Sequence, residues 1–155
     1  MARDVGRDLG VRGYDTTMPT HQSCLSEIED LHAFFEAWLA GRAEVDDLHR
    51  CEGVLDGNFQ LVVPSGEVLE KARLLAGIRA EKGGRGPSFR ITTQNVHSRA
   101  LSEDLRLVVY EEHQWLAGGQ TNQRVSSALF RSREGTPHGV EWLHVHETWF
   151  DPREK

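Results

Sequence analysis

Apolar residues recur at helical spacing in the first half of the chain and at strand spacing in the second half. The first helical stripe has residues three or four positions apart: Ile28, Leu31, Phe35, Trp38 and Leu39. Ser26 and Glu29 have the spacing of a capping box at the start of this helix. In a capping box the two side chains accept hydrogen bonds from backbone amides that have no partner within the helix. Gly41 is typical of a helix end. The pattern predicts a first helix of about four turns that begins at Ser26 and ends at Gly41.

Two further helices and a short strand are predicted before residue 87. Residues 44–52 carry apolar residues at helical spacing, and Gly53 ends that second helix. Asp56-Gly57 marks a turn, and residues 59–63 form a short strand. The third helix carries its apolar side at Leu69, Ala72, Leu75 and Ile78.

After Pro87 the pattern becomes that of strands and stays so. Four long strands are predicted, over residues 89–98, 104–117, 120–133 and 140–150. Three N-terminal helices followed by a run of strands predict an α+β fold, in which the helices pack on one face of a curved antiparallel sheet.

The last strand has two different faces, because side chains alternate along a strand. One face is mostly apolar with one carboxylate: Leu143, Val145, Glu147 and Trp149. The other mixes rings with polar groups: Trp142, His144, His146 and Thr148. We therefore expect this strand to contact a core or cavity on one side and a second surface on the other.

Length and composition limit the classes of function. A chain of 155 residues fits one domain, which we place at residues 23–151 between a flexible N-terminal arm, residues 1–22, and a C-terminal tail, residues 152–155. The net charge of −6 is spread along the chain, so no basic patch predicts binding to nucleic acid. No apolar run approaches the ~20 residues that span a bilayer. No secretion signal is evident, so we expect a cytoplasmic protein whose two cysteines are reduced.

Several local strings resemble the NTF2-like superfamily. They are the first helix with Phe34, Phe35 and Trp38, and the segments 58–69, 110–114, 124–130 and 142–149. The chain is similar to the ketosteroid isomerase-like and SnoaL-like proteins of that superfamily, and most closely to its DUF4440 or calcium/calmodulin-kinase association-domain-like branch. The resemblance implies a cone-shaped fold over about residues 24–150. It also implies a choice of roles, because similar proteins include isomerases, cyclases, dehydratases and oligomerisation modules, and fold alone does not select among them.

The turn at Gly118-Gly119 determines which side chains would share the cavity face. A two-residue turn places His113 opposite Arg124, Glu111 opposite Ser126 and Val109 opposite Ala128. The shared face would then be apolar at one end and polar at the other. A bulge or a four-residue turn would swap the faces and bring in Tyr110, Glu112 and Gln114 instead.

We predict a pocket on this face, since an apolar wall with a few polar groups is typical of small-molecule sites. The predicted catalytic residues are Glu147, His113 and Glu111. The predicted ligand-binding residues are Trp38, Phe59, Val109, Tyr110, Arg124, Ser126 and Trp149. Arg124 is expected to pair with Glu147, and a ligand with an acceptor group would compete for Arg124. We predict no metal and no cofactor, because His144 and His146 point the same way but the sequence shows no third ligand at a suitable spacing.

Two functions remain open at this point. In the first, the domain binds a small, partly apolar molecule, with general acid-base chemistry of a cofactor-independent isomerase or lyase as its enzymatic form. In the second, it is a non-catalytic interaction domain that forms a homodimer through the outer sheet face, which would carry Trp142, His144, His146, Val125, Leu129 and Tyr110.

Overall fold

The computed structural model describes residues 18–151. The predictions of a flexible arm and a tail fall mainly on residues 1–17 and 152–155, which lie outside the described residues. The helices and strands in chain order are α1 (His21–Ala40), α2 (His49–Glu52), β1 (Leu55–Val62), β2 (Val68–Glu70), α3 (Lys71–Ala80), β3 (Arg90–Ala100), β4 (Leu105–Trp115), β5 (Thr121–Ser132) and β6 (Val140–Trp149).

The six strands form one open sheet in the order β2-β1-β6-β5-β4-β3. Neighbouring strands are antiparallel except β1 and β6, which are parallel. The helices pack on one face through a single core that includes Ile28, Trp38, Leu75, Phe130 and Trp142. The predicted α+β class is confirmed, with the difference that the sheet is mixed.

Helix α1 begins five residues before the predicted start. Thr20 is its N-cap: the Thr20 side chain accepts a 3.0 Å hydrogen bond from the Ser23 amide, and the Thr20 amide donates to Ser23 Oγ at 2.9 Å. The predicted start at Ser26 is wrong, because a serine takes the place of the usual glutamate in this capping box. The predicted end is confirmed, since Gly41 adopts the left-handed conformation with φ of 78°.

The four long strands are confirmed with small changes of boundary, whereas the segment before them differs more. The predicted turn at Asp56-Gly57 is wrong, because both residues lie inside β1. The short strand β2 was not predicted, and it contains Leu69, which we expected in the third helix. The second helix covers only four of its nine predicted residues.

The predicted register of β4 and β5 is wrong by one residue. A short 3₁₀ turn at Ala117–Gly119 joins them, and the Leu116 amide donates to the Gln120 carbonyl at 2.7 Å, so the connection has three residues. Gly118 and Gly119 both have φ near +80°, which glycine adopts without a steric penalty. Tyr110 therefore pairs with Ser126 and Glu112 with Arg124.

This register puts Tyr110, Glu112 and Gln114 on the face that meets the helices. These are the residues named for the alternative of swapped faces, although the cause is a three-residue connection and not a four-residue turn. Val109, Glu111 and His113 consequently lie on the opposite face, because a shift of one residue exchanges the two faces of a strand.

A bulge in β6 changes the predicted faces of that strand as well. Phe130 pairs with Trp142 and Leu129 with His144, which leaves Leu143 as the extra residue. Trp142 consequently lies on the helix side with Val145 and Glu147, and its expected place beside the histidines is wrong. His144 and His146 are on the other face.

Candidate functional site

A cavity of about 210 Å³ lies between the helices and the sheet. Most of its wall is apolar: Leu31, Phe35, Leu39, Cys51, Leu55, Phe59, Leu61, Leu74, Ile78, Ile91, Trp142 and Val145. The polar lining residues are His32, Tyr110, Glu112, Gln114, Arg124 and Glu147. Pockets for drug-sized ligands measure roughly 300–1,000 Å³, so this cavity suits a smaller molecule.

The half-buried part of the cavity lining reaches one end of the sheet. The apolar lining residues that are only half-buried include Leu61 near the end of β1 and Ile91 at the start of β3, with Phe35 and Leu39 in the second half of α1. Strand pairing brings the end of β4, the start of β5 and the end of β6 to the same place. The charged groups of these strands therefore lie beside this half-buried part, while the deeper wall is apolar.

His32 projects from α1 onto Glu112 of β4. The Nδ1 of His32 donates to the Ile28 carbonyl at 2.7 Å, and its Nε2 donates to Glu112 Oε1 at 2.9 Å. Both ring nitrogens thus lie within hydrogen-bonding distance of an oxygen, an arrangement that the doubly protonated imidazolium opposite an ionised carboxylate satisfies. Both side chains are only 8% exposed, so this is a buried ion pair.

The pKa values of the pair agree with that assignment. Burial lowers the pKa of His32, but the hydrogen bond to Glu112 and its charge outweigh burial and leave it above its ordinary value. Burial acts to raise the pKa of Glu112, but the hydrogen bond and charge of His32 lower it to about 2. Glu112 is therefore ionised at neutral pH.

Amide side chains extend this network to Arg124. Gln114 donates a short hydrogen bond to the second oxygen of Glu112. Asn122 donates to Gln114 Oε1 at 3.2 Å and accepts from Arg124 Nη2, also at 3.2 Å. The amides thus fix the position of the Arg124 guanidinium relative to Glu112.

Arg124 makes the second ion pair of the site, with Glu147. Its Nη1 donates to Glu147 Oε2 at 2.8 Å, and the two side chains are 16% and 11% exposed. The indole ring of Trp149 covers the guanidinium at 4.9 Å. The Nε of Arg124 lies 3.7 Å from Glu112 Oε2 and is buried without a hydrogen-bond partner among residues 18–151.

The two carboxylates of the cavity have opposite pKa shifts. Burial raises the pKa of Glu147 above its ordinary value, and the charge of Arg124 only partly opposes this. Glu112 is shifted down, as described above. Environments that separate the pKa values of two neighbouring carboxyl groups are typical of acid-base sites.

Four of the residues predicted from sequence line the cavity: Phe59, Tyr110, Arg124 and Glu147. The predicted pairing of Arg124 with Glu147 is present. Ser126 is fully buried beside them, opposite Tyr110 and Glu147 in the sheet.

Five other predicted site residues lie away from the cavity lining. Trp38 is buried between α1 and α3, where its indole donates to the Ile78 carbonyl at 2.7 Å. Trp149 is 57% exposed and covers Arg124 from outside. Val109, Glu111 and His113 are on the opposite sheet face, because the predicted register was wrong.

Sequence reasoning missed His32 and Asn122 altogether. The sequence could have indicated His32, because this polar residue lies beside the apolar stripe of α1 between Leu31 and Phe35. A polar side chain buried there needs a hydrogen-bond partner. Glu112 and Gln114 were named only for the alternative register. Asn122 had no comparable signal in the sequence.

Two general features of the described residues bear on the kind of site. Residues 18–151 contain no group of three or more His, Cys, Asp or Glu side chains arranged to hold a metal ion. In that same part of the chain, no helix is long and apolar enough to cross a membrane.

Comparison with known sequences gives one family and two curated relatives. The family described as "Sucrose-6-phosphate phosphohydrolase C-terminal" matches residues 25–151. Sucrose-phosphatase 1 of Nicotiana tabacum is 29% identical over 127 residues, which are 79% of this chain and 30% of the relative. Probable sucrose-phosphatase 3a of Arabidopsis thaliana is 27% identical over 159 residues, covering 96% of this chain and 36% of the relative. The chain thus spans about a third of the length of these relatives.

Solved structures confirm the NTF2-like fold. An NTF2-like protein of unknown function from Pseudomonas aeruginosa has a TM-score of 0.75 and 28% identity, over 83% of this chain and 99% of that one. A CaMKII hub from S. rosetta has a TM-score of 0.68 and 11% identity, over 83% and 95% of the two chains. A protein from Thiobacillus denitrificans, described as a putative CaMKII association domain, has a TM-score of 0.60 and 20% identity over 82% and 94%. At these identities the last two similarities show a shared fold.

Proposed function

Because this chain belongs to the family of sucrose-6-phosphate phosphohydrolase C-terminal domains and has an NTF2-like fold, we propose that it binds a small, partly apolar molecule in its cavity. The observation that carries this proposal is the arrangement of the wall. Apolar side chains surround about 210 Å³, and the charged groups on the wall are His32, Glu112, Arg124 and Glu147. A ligand would place its carbon skeleton against the apolar wall and an acceptor group near Arg124.

Arg124 is the group that would recognise the acceptor. It is always charged, and it is held in place by Glu147 and Asn122. An acceptor on the ligand would compete with Glu147 for the guanidinium.

The enzymatic form of this proposal gives the acid-base role to Glu147. Its carboxyl group lines the cavity and has a raised pKa, whereas Glu112 is kept ionised by His32. A carboxyl with a raised pKa exchanges protons more readily near neutral pH. The reaction class would be a proton transfer, as in a cofactor-independent isomerase or lyase.

The size of the cavity separates this ligand from the sugars named in the relatives. Drug-sized ligands occupy roughly 300–1,000 Å³, and this cavity is smaller. We therefore expect a ligand smaller than sucrose or sucrose 6-phosphate. A location in the cytoplasm is also a proposal, supported by two buried cysteines that form no disulfide.

Binding of small probes tests the proposal. We expect benzoate to shift the amide NMR signals of cavity residues in a ¹⁵N-labelled sample and to bind at least tenfold more weakly to the Arg124→Gln variant. Arg99→Gln on the exposed edge strand β3 is the matched control and should leave binding unchanged. Benzoate, benzamide and hexanoate that leave the cavity signals unmoved at millimolar concentration would refute the proposal, as would equal effects of the two arginine variants.

A second function is favoured by the outer sheet face. It carries four apolar side chains that are only half-buried: Leu107, Val109, Val125 and Leu129. We propose that two copies of the chain form a homodimer through it, since exposed apolar patches mark interaction surfaces. Tyr110 and Trp142, which we expected on this face, are buried on the other one and add nothing to it.

Sedimentation equilibrium at micromolar concentration tests the dimer. We expect particles of twice 17.5 kDa and expect Leu129→Lys to dissociate them, because a charge would replace an apolar contact in the interface. Leu101→Lys is the matched control, as Leu101 is exposed in the turn between β3 and β4. Particles of 17.5 kDa alone would exclude the dimer.

A further inference from the structure

The two carboxylates of the cavity have unequal sets of partners. Glu112 accepts hydrogen bonds on both oxygens, from His32 and from Gln114. Glu147 accepts a single hydrogen bond from a described residue, and the donor is Arg124. Arg124 is also the cation that a ligand would approach, and a ligand that accepts from its Nη1 would take the partner of Glu147.

The charges of the site balance before a ligand binds. The imidazolium of His32 balances Glu112, and Arg124 balances Glu147. If a monoanion binds and no group changes its protonation, the site carries one excess negative charge. The four charged side chains around it are at most 16% exposed. An unbalanced charge in such a place is costly, and the usual response of the site is to change protonation.

We propose that the site takes a small monoanion, such as a carboxylate, which displaces Glu147 from Arg124, and that Glu147 then binds one proton from solvent. This inference rests on the proposed binding function. The bound state again has no net charge, because the ligand replaces Glu147 as the counterion of Arg124. The neutral carboxyl of Glu147 can in addition donate a hydrogen bond to the second oxygen of the ligand.

The other titratable groups that face Glu147 keep their protonation. From β4, Glu112 has a pKa of about 2, and the buried Tyr110 has a pKa well above its ordinary value. From α2, burial raises the pKa of Cys51 to about 12. From α1, His32 is fixed as the imidazolium by its two acceptors, and Arg124 of β5 is always charged. The lining residues on α3, β1 and β3 are apolar. Glu147 is thus the group left to accept the proton.

Calorimetry in buffers with different ionisation enthalpies measures the proton directly. Titrated with benzoate, the wild-type protein should take up close to one proton per bound ligand, whereas the neutral isostere benzamide should take up close to none. Since binding takes up a proton, the affinity for benzoate should fall by up to tenfold per pH unit between the pKa of Glu147 in the free and in the bound protein. The Glu147→Gln variant should bind benzoate without proton uptake. Benzoate binding with no proton uptake by the wild type, or with unchanged uptake by Glu147→Gln, would overturn the proposal.

A second measurement needs no ligand. In Arg124→Gln, Glu147 has lost its cation, so the ¹³C signal of its carboxyl carbon should be that of the protonated acid at pH 7. In the matched variant Arg124→Lys, which keeps the charge, the signal should be that of the carboxylate, and circular dichroism would establish that both variants fold. An ionised Glu147 in folded Arg124→Gln would overturn the proposal even where no probe binds. If Glu147 is protonated in Arg124→Gln but the wild-type protein binds no probe, the result contradicts the binding function and leaves the role of Arg124 as counterion of Glu147 supported.

Discussion

His32 is what allows Glu112 to remain ionised inside the molecule. A buried carboxylate without a partner is expensive, and the imidazolium supplies both a hydrogen bond and an opposite charge. The carbonyl of Ile28 prevents the ring from adopting the neutral form with a free Nδ1. The ion pair therefore depends on His32 and the Ile28 carbonyl of α1 and on Glu112 of β4.

Replacing His32 by leucine should cost about 3–5 kcal/mol of unfolding free energy at pH 7, because the Glu112 carboxylate would be left buried without its cation. The loss should shrink as the pH falls, since the unpaired carboxyl then takes up a proton while the wild-type one, with a pKa of about 2, does not. Urea unfolding of both proteins across the pH range measures it.

His113→Leu is the matched control for that experiment. His113 lies on the opposite sheet face, stacked on Trp115, and its replacement should cost less than about 1 kcal/mol. Equal losses for the two histidines would contradict the assigned pair.

Helix α1 has two candidate capping boxes, the observed one at Thr20 and the one predicted from sequence at Ser26. Substitutions at the two positions distinguish between them. Thr20→Ala should cost about 1 kcal/mol, because the Ser23 amide would lose its acceptor. Ser26→Ala, at the start predicted from sequence, should change stability by less than ~0.5 kcal/mol, since Ser26 lies within the helix. Thermal unfolding of the two variants compares them, and a larger loss for Ser26→Ala would place the working cap where the sequence suggested.

Elements could be predicted here, but registers could not. Apolar periodicity over ten or more residues identifies the long strands, because many positions contribute to the signal. The faces of β4 and β6 depend instead on single residues: one extra residue in the turn at Ala117–Gly119 and one bulged residue, Leu143. A change of one residue exchanges the faces of a strand, so Glu111 and His113 were named where Glu112 and Gln114 stand.

At the scale of the whole molecule, the order of helices and strands was enough to predict the α+β class and a cavity between the layers. Glu147 and Arg124 were predicted as a pair, because alternation along β6 and β5 places them on one face in spite of the bulge. The parallel pairing of β1 with β6 had no local signal. It depends on contacts between residues more than eighty positions apart, such as Leu61 and Val145.

That pairing has a consequence for how the chain folds. Strand β6 is the last of the sheet in sequence, yet it lies between β1 and β5 and is hydrogen-bonded to both. Until β6 leaves the ribosome, β2-β1 and β5-β4-β3 remain two separate pieces, each with an unpaired edge. Closure of the sheet must wait for contacts that are distant in sequence, which slows folding. The chain therefore depends on its final strand twice, once to join the two halves of the sheet and once to bring Glu147 to Arg124.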